Sequence, residues 1–346
     1  MMIRFGKPSA SYLNYIRYYF DPAENEAAAR SGEAARLLYM SLPERQICKV
    51  CRLPLSGHEF KARTIPYIEC SQCGHINGKF EESEAFSRSL YQGSGSDQLV
   101  NYYASASREA FDRRVAALYR PKVDFLFDVL RKDGQDPGKL SYADIGAGTG
   151  YFPAALLDAG AKSVKGYEVS ARQIATGNDI FGREILFYSD PEALPDLLLS
   201  LDTDVVTMIF TLEHVRQHHD ALLALRNNPR IRYALIAVPA FSLANFLEAA
   251  FADMFGRHSD GHTHFYTPAS IDWMCRHYNL PIIGEWWFGA DMIDILRTVS
   301  VALQNRNENK LAEMWEKFME GAIDPMQEIM DRRKTASEVH LVVRCY

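Results

Sequence analysis

From residue 140 onward, short apolar runs alternate with stretches whose apolar positions recur every three or four residues. The runs Leu140–Ile145, Ser163–Glu168, Ile185–Tyr188, Asp204–Phe210, Ile231–Val238 and Leu280–Trp287 predict strands. The gaps, roughly 150–159, 171–180, 192–200, 217–227 and 269–278, carry helical periodicity. Alternation of this kind predicts parallel strands joined by right-handed helical crossovers, a doubly wound α/β sheet. Ahead of it, apolar Phe111, Val115, Leu118, Phe125, Leu126 and Val129 predict an amphipathic helix over 107–130, kinked or restarted at Pro121. Two further helices are expected at about 290–304 and 306–333, and Glu338–Cys345 reads as a closing strand. Residues 9–42 predict two helical stretches parted at Asp21-Pro22, and 46–80 has the texture of short β pieces.

With 346 residues, the chain is long for a single ordinary domain. The expected division is a helical extension over 1–45, a cysteine-bearing segment over 46–80, a linker or flap over 81–106, the α/β domain over 107–290, and C-terminal helices with the closing strand over 291–346. A net charge of −6 and a pI near 6.0 argue against a binder of duplex nucleic acid. No apolar run reaches the length of a membrane span, and the N-terminus lacks a signal-peptide core, so a cytoplasmic protein is expected. The terminal helices leave pairing into a homo-oligomer open.

The strongest chemical signal is Asp144-Ile145-Gly146-Ala147-Gly148-Thr149-Gly150. A buried strand delivers a carboxylate, then glycines at alternate positions, then a helix. Glycine permits the backbone angles of a sharp turn and lets a ligand approach the main chain. A dinucleotide loop wants glycine where Tyr151 stands, and no Lys-Ser/Thr ending marks a phosphate loop. A carboxylate before the first glycine repels a pyrophosphate but suits a ligand bearing ammonium and sulfonium charges. Glu168, at the end of the next predicted strand, is placed to accept from both ribose hydroxyls of an adenosine. Asp190, after the third strand, suits an adenine amino group.

Cys48-Lys-Val-Cys51 and Cys70-Ser-Gln-Cys73 form a second signal. Two Cys-x-x-Cys turns at this separation match a four-thiolate zinc site, closed and therefore structural. A redox dithiol and an iron–sulfur centre are the competing readings. At the end of the fourth predicted strand stand Glu213 and His214; His214 has the intrinsic basicity for proton abstraction near neutral pH, and Glu213 can orient it or bind an acceptor. His258, Asp260, His262, His264 and Tyr266 cluster after the fifth strand, where an acceptor-facing imidazole is expected. Tyr102 and Tyr103 are candidates to close over the acceptor.

The combination of Asp144, the Gly146/Gly148/Gly150 loop and Glu168 resembles the class I S-adenosylmethionine-dependent methyltransferases over about residues 107–290. That resemblance implies a Rossmann-like fold and S-adenosylmethionine as cofactor. Asp144 would lie near the methionine amino group, Gly146, Ala147, Gly148 and Gly150 along the methionine and ribose, Glu168 on the ribose diol, and Asp190 near adenine. The zinc segment together with Glu213-His214 resembles bacterial sugar methyltransferases, notably deoxysugar C-methyltransferases. It implies His214 as base, Glu213 beside it and Tyr102 or Tyr103 lining the pocket of a saccharide or nucleotide-linked sugar, methylated on oxygen or carbon; His262, His264 and Tyr266, from the segment after the fifth strand, are the further residues expected around that acceptor. The chain departs from those enzymes in its helical N-terminal extension and in its short C-terminal part, which leaves O-methylation open. A methyltransferase for another small molecule or a protein side chain, or a zinc-ribbon partner-binding protein on this scaffold, are the alternative readings.

Overall fold

The computed structural model describes residues 1–31, 33–91, 107–251, 254–256 and 262–345. Its centre is an eight-stranded sheet. The strands in chain order are β1 (Met2–Phe5), β2 (Glu59–Ala62), β3 (Ile65–Glu69), β4 (Ile76–Gly78), β5 (Ser141–Ile145), β6 (Ser163–Glu168), β7 (Leu186–Tyr188), β8 (Val205–Ile209), β9 (Tyr233–Pro239), β10 (His264–Phe265), β11 (Ile282–Phe288) and β12 (Glu338–Arg344). The large sheet runs β1-β11-β12-β9-β8-β5-β6-β7, and β10-β4-β3-β2 form a separate small sheet. β9, β8, β5, β6 and β7 are mutually parallel, as the alternating pattern predicts. The fold is thus a doubly wound α/β, Rossmann-like sheet, with a cysteine-bearing segment ahead of it.

Alternate side chains face opposite layers. Tyr142, Val205, Tyr233, Leu235 and Trp286 pack under helices Arg120–Lys132 and Tyr151–Asp158. Ala143, Ile145, Val206, Ile236 and Val238 pack on the other face, with helices Leu194–Ser200, His218–Asn227 and Pro268–His277. Each fully buried Val, Leu or Ile in these layers contributes about 1.5–3 kcal/mol of transfer free energy. The four clustered cysteines belong to the second of these layers, so the small segment is joined to the main core.

Three features differ from the sequence expectation, and the restart expected at Pro121 is present. β1 pairs parallel with β11, and β12 lies antiparallel between β11 and β9; both are non-local pairings that strand periodicity does not report. The single helix expected over 306–333 is two, Asn309–Met319 and Ile323–Arg332, because Gly321 takes φ +77 between them. The restart at Pro121 takes the form of a π-helical turn, Val115–Tyr119. Within the expected linker, Glu84–Tyr91 is a helix; the Gln92–Ser96 loop lies outside the described residues.

Candidate active site

The glycine loop leaves the carboxyl end of β5 beneath β6. Gly146 and Ala147 both donate to the Tyr167 carbonyl, at 2.8 and 3.0 Å, which closes the bend. All three glycines have positive φ, +72 at Gly146, +56 at Gly148 and +88 at Gly150. Their environments differ. A Cβ at Gly146 would lie 2.4 Å from Thr211 Oγ1, and one at Gly150 would lie 2.6 Å from Phe181 Cε2. At Gly148 the nearest atom would be Gln173 Oε1 at 3.8 Å, so this is the glycine whose main chain stays approachable.

Two carboxylates bracket the loop. Asp144 is buried, accepts from Thr207 Oγ1 at 2.6 Å, and is pushed up to about 7 by burial, with the Thr207 bond opposing. Glu168 Oε2 accepts from Gly148 N at 2.8 Å, and Oε1 from Val169 N at 2.8 Å and Ser170 N at 3.0 Å. Burial raises the Glu168 carboxyl, and these backbone donors oppose the rise. A buried carboxyl this close to ionisation gains most from a cationic ligand that restores a counter-charge. Asp190 caps the 3-10 turn Pro191–Ala193 by accepting from Glu192 N at 3.0 Å. The loop, Asp144 and Glu168 therefore fit an adenosine carrying a positive charge: an approachable main chain, two raised carboxyls and carboxylate oxygens at the strand end.

Beyond β8 the chain turns sharply. Phe210 adopts φ +55, a conformation a bulky residue rarely takes, and Thr211 Oγ1 donates to the Ile145 carbonyl at 2.9 Å. This turn delivers Glu213 and His214. Glu213 is buried, neither carboxyl oxygen has a hydrogen-bond partner among the described residues, and burial pushes it up to about 8. His214 Nε2 lies 3.8 Å and His262 Nε2 3.9 Å from Glu213 Oε1, and the two imidazoles stack at 5.4 Å. Burial, and then His262, hold His214 well below its ordinary value, so its imidazole is neutral at pH 7. Lys49, on the first Cys-x-x-Cys turn, donates from Nζ to the Glu213 carbonyl at 2.8 Å; burial brings this lysine down to about 8.

Of the remaining candidates, His264 and Tyr266 face inward. His264 Nε2 lies 2.8 Å from Glu82 Oε1, and burial takes its imidazole down to about 3. The Tyr266 hydroxyl shares a 2.9 Å hydrogen bond with His218 Nε2 in the core. Neither side chain reaches the surface, because β10 joins the small sheet through β4 and carries this segment beneath it. Tyr102, Tyr103, His258 and Asp260 lie outside the described residues. Thr207, Thr211, Lys49 and Gln173 escaped the sequence reading; only the adjacency of Thr211 to Glu213-His214 could have signalled any of them.

The four cysteine sulfurs lie within 4.8 Å of one another, with Cys48–Cys73 at 3.7 Å and Cys51–Cys70 at 3.6 Å. A tetrahedron with Zn–S near 2.3 Å has sulfurs about 3.8 Å apart, so the donor set fits such an ion. Asn77 Nδ2 donates to Cys48 Sγ at 3.4 Å, an outer-shell contact of the kind that orients thiolate ligands.

The sequence profile of a family described as "Methyltransferase domain" matches residues 111–284, just over half of the chain. No curated protein matches the sequence. Among solved structures, the chain is similar to magnesium protoporphyrin IX methyltransferase from Synechocystis with bound SAH, at 13% identity and TM-score 0.45, covering 75% of this chain and 98% of that one. It is similar to geranyl diphosphate C-methyltransferase from Streptomyces coelicolor at 14% identity and TM-score 0.40, covering 70% and 86%. It is also similar to the cyclopropane synthase MmaA2 from Mycobacterium tuberculosis at 15% identity and TM-score 0.40, covering 64% and 84%.

Proposed function

The chain belongs to the methyltransferase-domain family as a class I S-adenosylmethionine-dependent enzyme, and from that premise we propose that it methylates a sugar or nucleotide-linked sugar. Bound S-adenosylmethionine supplies an electrophilic methyl group. In this reading Asp144 binds the cofactor's ammonium, Gly146, Ala147, Gly148 and Gly150 line its methionine and ribose, Glu168 accepts from the ribose hydroxyls, and Asp190 meets the adenine edge. The acceptor lies by the turn after β8, where His214 takes its proton and Glu213 holds its oxygen. His262 borders that acceptor; His264 and Tyr266 support its wall from within, and Tyr102 and Tyr103 complete it. Cys48, Cys51, Cys70 and Cys73 hold a structural zinc ion, and Lys49 links that knuckle to the catalytic turn.

The observation that carries the reading is the meeting of a buried carboxyl, Glu213, unsatisfied among the described residues, with a neutral imidazole, His214, on the turn whose Thr211 bonds Ile145 at the end of the strand leading into the glycine loop. A neutral imidazole is in the form a base requires, and a carboxyl with no hydrogen-bond partner among the described residues can hydrogen-bond a hydroxyl or ketone oxygen. The test is transfer of labelled methyl from S-adenosylmethionine to a panel of sugar nucleotides. His214→Ala should cut turnover by about a hundredfold or more while leaving cofactor affinity intact. Turnover on other acceptor classes but on no sugar would refute the substrate, and a near-native rate in the variant would remove His214 as base.

A further inference from the structure

A group of charged side chains at the carboxyl edge of the sheet takes no part in the arrangement above. Lys122 opens the helix Arg120–Lys132, is 6% exposed, and lies with Nζ 4.7 Å from the Phe210 ring and 5.6 Å from the Tyr119 ring. Lys7 follows β1 and has Nζ 5.3 Å from the Phe288 ring. Between them His340, on β12, is fully buried and packs against both rings, 6.0 Å from Phe210 and 4.9 Å from Phe288. Neither His340 nitrogen has a hydrogen-bond partner among the described residues; its nearest carboxylate oxygen, Glu338 Oε2, is 4.0 Å away. Neither lysine has a hydrogen bond or ion pair among those residues either.

Two buried lysines walled by aromatic rings share one nearby carboxylate, Glu338, so a further anion is what would hold both in the charged form where desolvation is costly. Burial lowers both lysines, Lys122 to about 7, and burial, then Lys122 and Lys7, hold His340 well below its ordinary value. Phe210, over which Lys122 lies, leads directly into the turn that bears Glu213 and His214, so these lysines share the carboxyl edge of the sheet with that turn.

We propose that Lys7, Lys122 and His340 form an oxyanion subsite that binds a phosphate or carboxylate group of the acceptor. The inference rests on the methyl-transfer reading and adds that the acceptor is an anion. Lysine ammonium groups serve as point charges for such a ligand, and His340 offers a ring N–H.

The test is calorimetric titration of the full chain, saturated with S-adenosylhomocysteine, with pyrophosphate and separately with succinate. Pyrophosphate binding marks a phosphorylated acceptor, and succinate binding a carboxylated one. Saturable binding of either anion should weaken about tenfold in Lys122→Met and in Lys7→Met, with S-adenosylhomocysteine affinity within about twofold of wild type. Lys122→Arg should recover most of the binding, and Lys122→Met should melt no lower than wild type, which separates charge from folding. Absence of binding by both anions, equal binding in the variants, or a matching loss of S-adenosylhomocysteine affinity would overturn the subsite. Retained cofactor binding alongside lost anion binding leaves the methyltransferase reading intact.

Discussion

The Asp144 carboxyl offers the sharpest quantitative test of how the cofactor is held. It is 2% exposed, and burial moves it from 3.8 to about 7. An ammonium group recognises the carboxylate form, so apparent affinity scales with the fraction ionised. That fraction is about 0.1 at pH 6 and about 0.75 at pH 7.5, a ratio of about eight, or ~1.2 kcal/mol. Binding of S-adenosylhomocysteine should therefore tighten about eightfold between those values and release roughly 0.9 proton at pH 6. Asp144→Asn keeps an acceptor for the Thr207 hydroxyl but cannot ionise, so its affinity should be weaker and nearly flat. Calorimetry in two buffers of different ionisation enthalpy measures both affinity and proton release. A flat wild-type profile, or an equally steep one in Asp144→Asn, would refute the assignment.

Four other outcomes follow from the same geometry. Without cofactor, Asp144 keeps in the folded chain a proton that the unfolded chain releases above about 4, so its stabilising contribution is fullest at low pH and fades as pH rises through 7; thermal melts should show wild type losing stability relative to Asp144→Asn between pH 5 and 7.5. Gly150→Ala, with its φ of +88 and a Cβ 2.6 Å from Phe181, should cost about 2–4 kcal/mol of stability in denaturant unfolding, whereas Gly148→Ala should cost about 1–2 and chiefly weaken cofactor binding. Elemental analysis should find one zinc per chain, and chelation should lower the melting temperature by about 5 °C or more, since the four cysteines lie in the main core. Lys49→Met should lower kcat about tenfold by freeing the Glu213 carbonyl, without altering S-adenosylhomocysteine affinity; equal kcat would remove the knuckle from catalysis.

What could be read in advance was whatever is written in consecutive residues. Asp144 to Gly150 forms one loop whose spacing carries its geometry, and each Cys-x-x-Cys is one turn. The parallel order of β5 to β9 also follows from alternation, because a crossover helix leaves the next strand little choice. The burial of His264 and Tyr266 was hidden, since it arises when β10 pairs with β4 across a long stretch of chain. Lys49 was hidden for the same reason: nothing near Cys48 indicates that its neighbour bonds a carbonyl at residue 213. Lys7, Lys122 and His340 come from the two ends and the middle of the chain and meet only after the sheet is complete.

The place of β12 sets the order in which the molecule can assemble on a ribosome. β9 and β11 have no hydrogen-bonded contact with each other; Glu338–Arg344 is the tenon between them. Until those residues leave the exit tunnel, β11 and the N-terminal β1 that pairs with it stay detached from the rest of the sheet. β1 thus waits for β12, and until β12 is made β9 and β11 each carry an open strand edge.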